Sequence, residues 1–358
     1  MHGDKFRILS IDGGGLRGIA AIEVLKKIEE ISQEISEPDQ RKKIHDGFDL
    51  FAGTSTGGII AAALTVSDDI SSTQPKYTLD DIAKIYRERG SEIFPTPRKL
   101  PIGFMKSLKN WVHPRFNDVG INNVFEKFFC EPRSYYLSDC VKPIFISSYD
   151  IVRNEPIYFL SRHVNNLSFE YSHTKNPLLF NICRATSAAP TYFPPHTFTY
   201  DNRNPYCVDG GVFINNPAIG ALTDALEYAQ DPLYAKDADK VFQKDDVYLL
   251  SIGTGTSTYE GQINPKKSQK WGQIKWAPHL INMMMLGNSQ AVDHQVKQLL
   301  PEDNYHRIQF SIDPRFADMA DSSEEAQKHW LKRLNEQVLD NPTQRSAFKN
   351  FLKKAGMV

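Results

Sequence analysis

The stretch ILSIDGGGLRGIAAIEVL, residues 8–25, places three consecutive glycines between two apolar segments. Residues 6–11 have the mostly apolar character of a buried strand, and residues 16–34 carry isoleucine and leucine at helical spacing. The glycines therefore form the turn from a strand into a helix. A second apolar run at 48–54 and a helical segment at 57–66 repeat this order. The resulting β-α-β-α order predicts a parallel sheet covered by helices.

The rest of the chain continues this pattern. Apolar runs predict further strands at residues 143–150, 155–160 and 246–255, separated by helical or polar segments. We therefore expect an α/β fold with a mostly parallel central sheet and helices on both faces. We predict one large domain over residues 1–310, containing an insert at 67–117, followed by a helical C-terminal extension at 311–358.

Composition narrows the class of protein. Of the 358 residues, 41% are hydrophobic and 24% are charged, which is typical of a soluble globular protein. The net charge of −1 gives no field that favours a nucleic-acid polymer as partner. The N-terminus lacks a secretory signal pattern, no apolar run is long enough to span a bilayer, and the four cysteines form no C-x-x-C pair. These features favour a cytoplasmic protein.

A candidate nucleophile lies in the second turn. Ser55 stands within GTSTG, residues 53–57, between a predicted strand and a predicted helix. A G-x-S-x-G turn exposes a serine at the end of a strand, and Gly53 and Gly57 relieve crowding in so tight a turn. The alternative is a helix N-cap at Thr54 or Ser55 without catalytic function.

The serine needs a base. Histidine is the usual partner in α/β-hydrolases, but several strands precede the nucleophile there, whereas one β-α unit precedes Ser55 here. The ten histidines lie in unremarkable loop or helical sequence. Asp209 ends a short apolar run and precedes Gly210 and Gly211, and burial beside its apolar neighbours would raise its pKa toward that of a useful base. An ordinary Asp-Gly turn remains the alternative.

The glycine triplet is typical of an anion-binding turn. Gly13, Gly14 and Gly15 open a helix, where backbone N–H groups can stabilise the oxyanion of an acyl transfer reaction. Arg17 is placed to add charge or to brace this loop. The same letters, with Gly18, also match the dinucleotide-binding fingerprint, but that fingerprint needs an acidic residue at the end of the second strand, which ends in GTSTG instead.

Together, DGGGLRG at 12–18, GTSTG at 53–57 and DGG at 209–211 resemble the patatin-like phospholipase family, over roughly residues 6–220. The resemblance implies a three-layer patatin-like fold and a Ser-Asp catalytic dyad without histidine, metal or cofactor. It makes Ser55 the nucleophile, Asp209 the base and the glycine triplet the oxyanion hole. The supporting residues are Arg17, Gly53, Gly57, Gly210 and Gly211.

The implied function is phospholipase A-type cleavage of fatty-acyl esters in membrane glycerophospholipids, at the inner membrane surface. The motifs do not distinguish the sn-1 from the sn-2 ester. An acyl-thioesterase or other serine hydrolase, and a non-catalytic lipid-binding or storage protein, stay open. Some bacterial relatives, the CapV-like effectors, are activated by cyclic dinucleotides in antiviral defence, and a cyclic-dinucleotide activator is a further expectation that no motif here proves.

A basic and aromatic segment at residues 93–117 is a candidate lid. It contains five lysines and arginines, no acid and several interleaved aromatic side chains, a composition that suits an anionic bilayer interface. An ordinary covering loop, or a grip on a nucleotide phosphate, would have the same composition. The residues that we predict to contact the membrane are Lys99, Phe104, Lys106, Lys109 and Trp111.

Overall fold

The computed structural model contains one eight-stranded sheet. It describes residues 5–37, 41–69, 74–95, 113–161, 175–230, 242–257 and 263–358. The strand order is β5-β6-β3-β2-β1-β7-β8, with β4 also paired to β3. Neighbours from β3 to β8 in this order are parallel, and β4, β5 and β6 add antiparallel pairs. The strands are β1 (Phe6–Ile11), β2 (Leu50–Thr54), β3 (Ile144–Asp150), β4 (Glu155–Leu160), β5 (His196–Thr197), β6 (Tyr206–Asp209), β7 (Val247–Ile252) and β8 (Tyr305–Ile308).

Helices cover both faces of this sheet, which confirms the predicted α/β architecture. Short 3-10 turns precede α1 and follow β6. The α-helices are α1 (Gly18–Ile35), α2 (Ile44–Gly47), α3 (Thr56–Thr65), α4 (Leu79–Arg87), α5 (Gly90–Ile93), α6 (Val119–Phe129), α7 (Leu179–Thr186), α8 (Ala218–Gln230), α9 (Pro265–Ser268), α10 (Gln273–Leu299), α11 (Glu324–Leu334) and α12 (Pro342–Lys354).

Alternation along the central strands divides the core into two layers. In β1, Leu9 and Ile11 belong to the hydrophobic cluster beneath α1 and α3, while Phe6 and Ile8 belong to the cluster beneath α8 and α10. Successive side chains of a strand point to opposite faces, so β1 must be apolar at nearly every position. This two-sided burial explains why the strand shows an apolar run and not an alternating pattern.

The residues after 310 pack onto the larger of these clusters. Trp330 and Leu334 of α11 are fully buried with α1, and Phe348 and Leu352 of α12 are buried in the same cluster. The Trp330 indole also donates a hydrogen bond to the carbonyl of Phe316, at 2.8 Å. The predicted C-terminal extension is therefore helical and shares its core with the sheet.

The predicted insert is described only in part. Helix α4 packs against α1, and α5 packs against α6. Residues 96–112, which include Lys99, Phe104, Lys106, Lys109 and Trp111, lie outside the described residues, so the lid stays a prediction. Within the described ranges, no helix is both long enough and apolar enough to cross a bilayer.

Candidate active site

Ser55 occupies a strained turn between β2 and α3. Its backbone has φ 54° and ψ −122°, a conformation that residues other than glycine rarely adopt, and its side chain is only 7% exposed. The turn is tight enough that a Cβ added to Gly57 would lie 2.0 Å from the carbonyl oxygen of Ile11. Gly53 faces Gly57 across the same turn. This geometry is that of a nucleophile elbow.

Hydrogen bonds from Thr54 and Ser55 hold this turn in place. The Ser55 N–H donates to the Thr186 hydroxyl at 2.9 Å, and that hydroxyl donates to the carbonyl of Ser147 at 2.7 Å. The Thr54 hydroxyl donates to the carbonyl of Ile214 at 2.7 Å. Because these groups are buried, the strained turn is tied to α7, to β3 and to the segment that follows β6.

The register on β3 brings Asp209 to Ser55. Thr54, the last residue of β2, pairs with Ser147, while Asp209, the last residue of the antiparallel β6, pairs with Ser148. Strands β2 and β6 thus reach consecutive positions of β3 from opposite directions. Their ends meet there, which places the Ser55 hydroxyl close enough to the Asp209 carboxyl to influence its pKa.

Burial changes the chemistry of Asp209. The residue is 3% exposed, and desolvation raises its pKa to about 6, although hydrogen bonds from Ser55 and from the Gly211 N–H oppose the shift. The Gly211 bond measures 2.8 Å and lies within the 3-10 turn that Gly210 begins. A carboxylate with a pKa near 6 is mostly ionised at neutral pH and binds a proton more strongly than a solvated aspartate.

The glycine loop lies against the serine. A Cβ built on Gly13 would be 3.3 Å from the Ser55 Cβ. The Gly13 N–H already donates to the carbonyl of Asn215 at 3.0 Å, so this group is not free for an oxyanion. The N–H groups of Gly14 and Gly15 make no hydrogen bond within the described residues. Of the three N–H groups predicted to stabilise an oxyanion, those of Gly14 and Gly15 are therefore the two without an acceptor among the described residues.

A cavity of about 370 Å³ borders this centre. Gly13 and Asn215 line it on the loop side, and Met285 and Leu286 of α10 line it on the other. Ser55 and Asp209 are not among its lining residues, but Gly13, which lies against Ser55, is, so the cavity lies beside the Ser55–Asp209 pair. Its mixed polar and apolar walls suit a lipid with an ester head and an acyl chain.

Comparison with known proteins agrees with this geometry. A profile described as "Patatin-like phospholipase" matches residues 9–222, which is more than half of the chain. The chain belongs to the patatin-like phospholipase family. Membership supports lipid acyl hydrolase activity as the general function. It also accounts for a mostly parallel sheet on which the serine turn and the aspartate turn meet.

Individual relatives cover most of the chain. Patatin-like protein 1 of Oryza sativa subsp. indica is 31% identical over 86% of this chain and 74% of its own, and Patatin-like protein 1 of Arabidopsis thaliana is 31% identical over 95% and 82%. Patatin-T5 of Solanum tuberosum is 29% identical over 98% and 90%. Among solved structures, VipD from Legionella pneumophila covers 93% of this chain and 67% of its own with 13% identity and a TM-score of 0.35, too distant a likeness to support an argument.

Arg17 braces the patatin-like glycine loop. Its guanidinium donates to the carbonyls of Gly14 and Gly255, each at 3.3 Å, and burial lowers its pKa. Arg17 also lines the cavity, so the positive charge lies beside the free N–H groups of the loop. Of the two roles that the sequence suggests for Arg17, this geometry supports bracing directly.

A buried ion pair beneath the glycine loop could not be predicted from the sequence. Asp12 accepts hydrogen bonds from both terminal nitrogens of Arg307, at 2.7 and 2.5 Å, and both residues are almost wholly buried. Asp12 is the first residue of the glycine motif, but its partner lies on β8, far along the chain. The bidentate pair fixes the start of the glycine loop against the sheet.

Asn215 is a second residue that sequence reasoning missed. Its carbonyl accepts the Gly13 N–H, its side-chain amide donates to Ser289 at 2.9 Å, and its own N–H donates to Asn288 at 2.9 Å. It thereby links the glycine loop, the segment after Asp209 and helix α10. The signal for it was present in INNP, directly after the DGG turn.

Proposed function

We propose that this protein is a phospholipase A-type lipid acyl hydrolase, which cleaves fatty-acyl esters of membrane glycerophospholipids through a Ser55–Asp209 dyad. The observation that carries the proposal is the burial of Asp209 beside Ser55, with a carboxyl pKa of about 6. A serine hydroxyl is a weak nucleophile until a base accepts its proton. Asp209 lies beside Ser55, in the place where a triad would have histidine.

The reaction follows from the positions of these groups. Ser55 Oγ attacks the ester carbonyl carbon while its proton passes to Asp209. The carbonyl oxygen becomes negative and is stabilised by the N–H groups of Gly14 and Gly15. The tetrahedral intermediate then collapses, the bond to the glycerol oxygen breaks, and Asp209 returns the proton to that oxygen as the lysophospholipid leaves.

Water completes the cycle. Asp209, again ionised, accepts a proton from a water molecule that attacks the acyl group on Ser55. A second oxyanion forms in the same place, and its collapse releases the fatty acid and regenerates the serine hydroxyl. Every proton is accounted for by one carboxylate, so the proposal requires no histidine and no metal.

Product analysis tests the proposal. Vesicles of defined diacyl phospholipid are incubated with the parent protein and with Ser55→Ala, and released fatty acid and lysophospholipid are identified by mass spectrometry. We expect both products in equal amounts from the parent and none from the variant. A variant that keeps vesicle binding while the parent releases nothing would indicate a lipid-binding protein. Faster cleavage of acyl-CoA than of phospholipid would indicate a thioesterase.

Activation by a cyclic dinucleotide stays a prediction from the resemblance to CapV-like effectors. The same digest, run with and without cyclic dinucleotides, tests it. An enzyme inert alone and active with one of them supports regulation, and equal rates in both conditions exclude it for the compounds used.

A further inference from the structure

Helix α10 is divided into an anchored half and a projecting half. Toward its C-terminal end, Val292 and Val296 are buried in the second core cluster together with Leu300. Asn288 and Ser289 bind the segment around Asn215. The half that precedes Asn288 covers the cavity and extends toward solvent, so its position is fixed from one end.

The projecting half has a cavity face. His279, Asn282, Met285 and Leu286 line the cavity beside Gly13. At 3.6 residues per turn, these positions fall on one side of the helix. This side is therefore accounted for by the candidate active site.

An adjoining side is apolar and exposed. Leu280 is 48% exposed, Met283 is 40% exposed and Met284 is 52% exposed, although each is a large hydrophobic residue. Trp276 follows the same i, i+4, i+7, i+8 spacing, and its ring contacts Trp271 with centroids 5.2 Å apart. We call this surface the outer face of α10; its residues are Trp276, Leu280, Met283 and Met284.

Positive charge accompanies this outer face. Residues 263–292 contain four lysines and no aspartate or glutamate. All four lysines are exposed, and they lie in α9, in the connection to α10 and in its first turn; they are Lys266, Lys267, Lys270 and Lys275. A protein with a net charge of −1 thus concentrates a local charge of +4 beside its exposed apolar helix face.

We infer that the outer face of α10, with these four lysines, docks the protein onto an anionic lipid surface. The inference rests on the proposed function for its lipid chemistry. Apolar side chains beside tryptophan and lysine suit the boundary between headgroups and acyl chains. The four lysines carry charge complementary to an anionic bilayer, which favours a lipid surface as the occupant.

Docking in this way places the active site next to the lipid. The outer face and the cavity face are adjoining sides of one helix, whose diameter with side chains is about 10 Å. A phospholipid that leaves the bilayer at the edge of α10 therefore reaches the cavity after a movement of about one helix diameter. This short path gives the exposed apolar face a direct role in supplying substrate.

Vesicle flotation tests the inference without using hydrolysis. Ser55→Ala protein is mixed with vesicles of phosphatidylcholine alone or with added phosphatidylglycerol. Two variants are compared in that background, Leu280→Ser/Met283→Ser/Met284→Ser and Lys266→Glu/Lys267→Glu/Lys270→Glu. We expect binding only to the anionic vesicles, weakened at least about tenfold in both variants, since each lysine near such a surface contributes about 1 kcal/mol.

Matched controls separate this surface from general stickiness and charge. Ile151→Ser/Val152→Ser removes two other exposed apolar residues, and Lys43→Glu/Lys127→Glu/Lys244→Glu makes the same change in net charge elsewhere. Both controls should bind as the parent does. Hydrolysis of soluble p-nitrophenyl butyrate by the same variants, with Ser55 restored, should be unchanged, because none of the altered side chains lines the cavity.

Three results would overturn the inference. The first is parent-like vesicle binding by the variants of the outer face and its lysines. The second is loss of binding only in Lys99→Glu/Lys106→Glu/Lys109→Glu, which would assign docking to the predicted lid. The third is conversion of a dimer to a monomer by the outer-face variant with unchanged vesicle binding, which would assign this face to a second copy of the chain. If the parent binds vesicles as expected but cleaves no ester, the proposed function fails and the docking surface stands.

Discussion

Replacement of Asp209 by asparagine removes the proposed base while keeping the size of its side chain. An amide cannot accept the Ser55 proton, so the serine stays a weak nucleophile. A positioned general base contributes roughly 10²–10⁴-fold to rate, so we expect kcat/KM for p-nitrophenyl butyrate to fall about 10³-fold. That loss equals about 4 kcal/mol of transition-state stabilisation.

The dependence of the parent's activity on pH tests the role of Asp209 as a base through its pKa. Burial raises the pKa of Asp209 to about 6, and only the ionised carboxylate accepts a proton. Activity should therefore rise with pH through about 6 and then level off. At about pH 5 only about one-tenth of a group with this pKa is ionised, whereas a solvated aspartate with a pKa near 3.9 would be mostly ionised.

As pH rises through about 6, activity should increase while the stability contributed by Asp209 decreases. The folded-state pKa of Asp209 lies above its unfolded value of 3.8, so the stability contributed by its protonated form is present at low pH and is lost as pH rises through about 6. Two pKa units correspond to about 3 kcal/mol. Above that pH, Asp209→Asn should therefore unfold at a higher urea concentration than the parent; this advantage should shrink as pH falls below about 6 and vanish below about pH 4.

Activity is measured as the rate of p-nitrophenyl butyrate hydrolysis. Stability is measured by urea unfolding followed by circular dichroism. Asp245→Asn changes an exposed aspartate and serves as the control, with no effect expected on either quantity. Activity of Asp209→Asn within tenfold of the parent, or a parent acid limb centred near pH 4, would refute the assignment of Asp209 as a buried base with a raised pKa.

Three further substitutions test the surroundings of the pair. Gly14→Ala should lower kcat about 10²–10³-fold with little change in KM, because the added Cβ would lie 2.0 Å from the Thr254 hydroxyl oxygen and displace an oxyanion donor; steady-state kinetics measure this. Asp12→Asn leaves the buried guanidinium of Arg307 without its charge partner and should cost about 3–5 kcal/mol of unfolding free energy, measured by urea denaturation. Thr186→Val leaves the nucleophile's N–H unsatisfied and should cost about 1–3 kcal/mol together with a fall in kcat, whereas Thr186→Ser should restore both, measured by the same two methods.

Local sequence was sufficient for the elements and for the two turns that contain Ser55 and Asp209. Strand β1 and helix α1 are visible as an apolar run and a helical repeat because their periodicity depends on neighbouring residues alone. Ser55 comes directly after β2 with a glycine two residues to either side, and Asp209 ends β6 and precedes two glycines, so both turns are visible in local sequence. The structure brings together the two side chains that the motifs select.

Long-range pairing was beyond the reach of the sequence. Nothing in VDGG specifies that Asp209 pairs with Ser148, next to the partner of Thr54, since register on β3 depends on contacts far apart in the chain. The hydrogen bond from the Gly13 N–H to the Asn215 carbonyl could not be predicted either, because any backbone carbonyl can accept an N–H. Arg307 carries no motif and is recognised only by its contact with Asp12.

The exposed apolar side of helix α10 was not predicted from the sequence. One of its sides lines a partly polar cavity, another is apolar but exposed, and the C-terminal half is buried. A single apolar stripe, which is the usual signal of a surface helix, is therefore missing. The prediction of membrane contact was made for residues 93–117 because of their basic and aromatic composition, and residues 263–287 have a similar composition.

Capture of the acyl-enzyme tests the central claim most directly. The protein is mixed briefly with phospholipid vesicles and quenched in acid, and the tryptic peptide of residues 44–76, which contains Ser55, is examined by mass spectrometry. The account predicts a fatty-acyl mass on Ser55, which accumulates early and is absent from Ser55→Ala. An acyl group on a different residue, or continued phospholipid hydrolysis by Ser55→Ala, would contradict it.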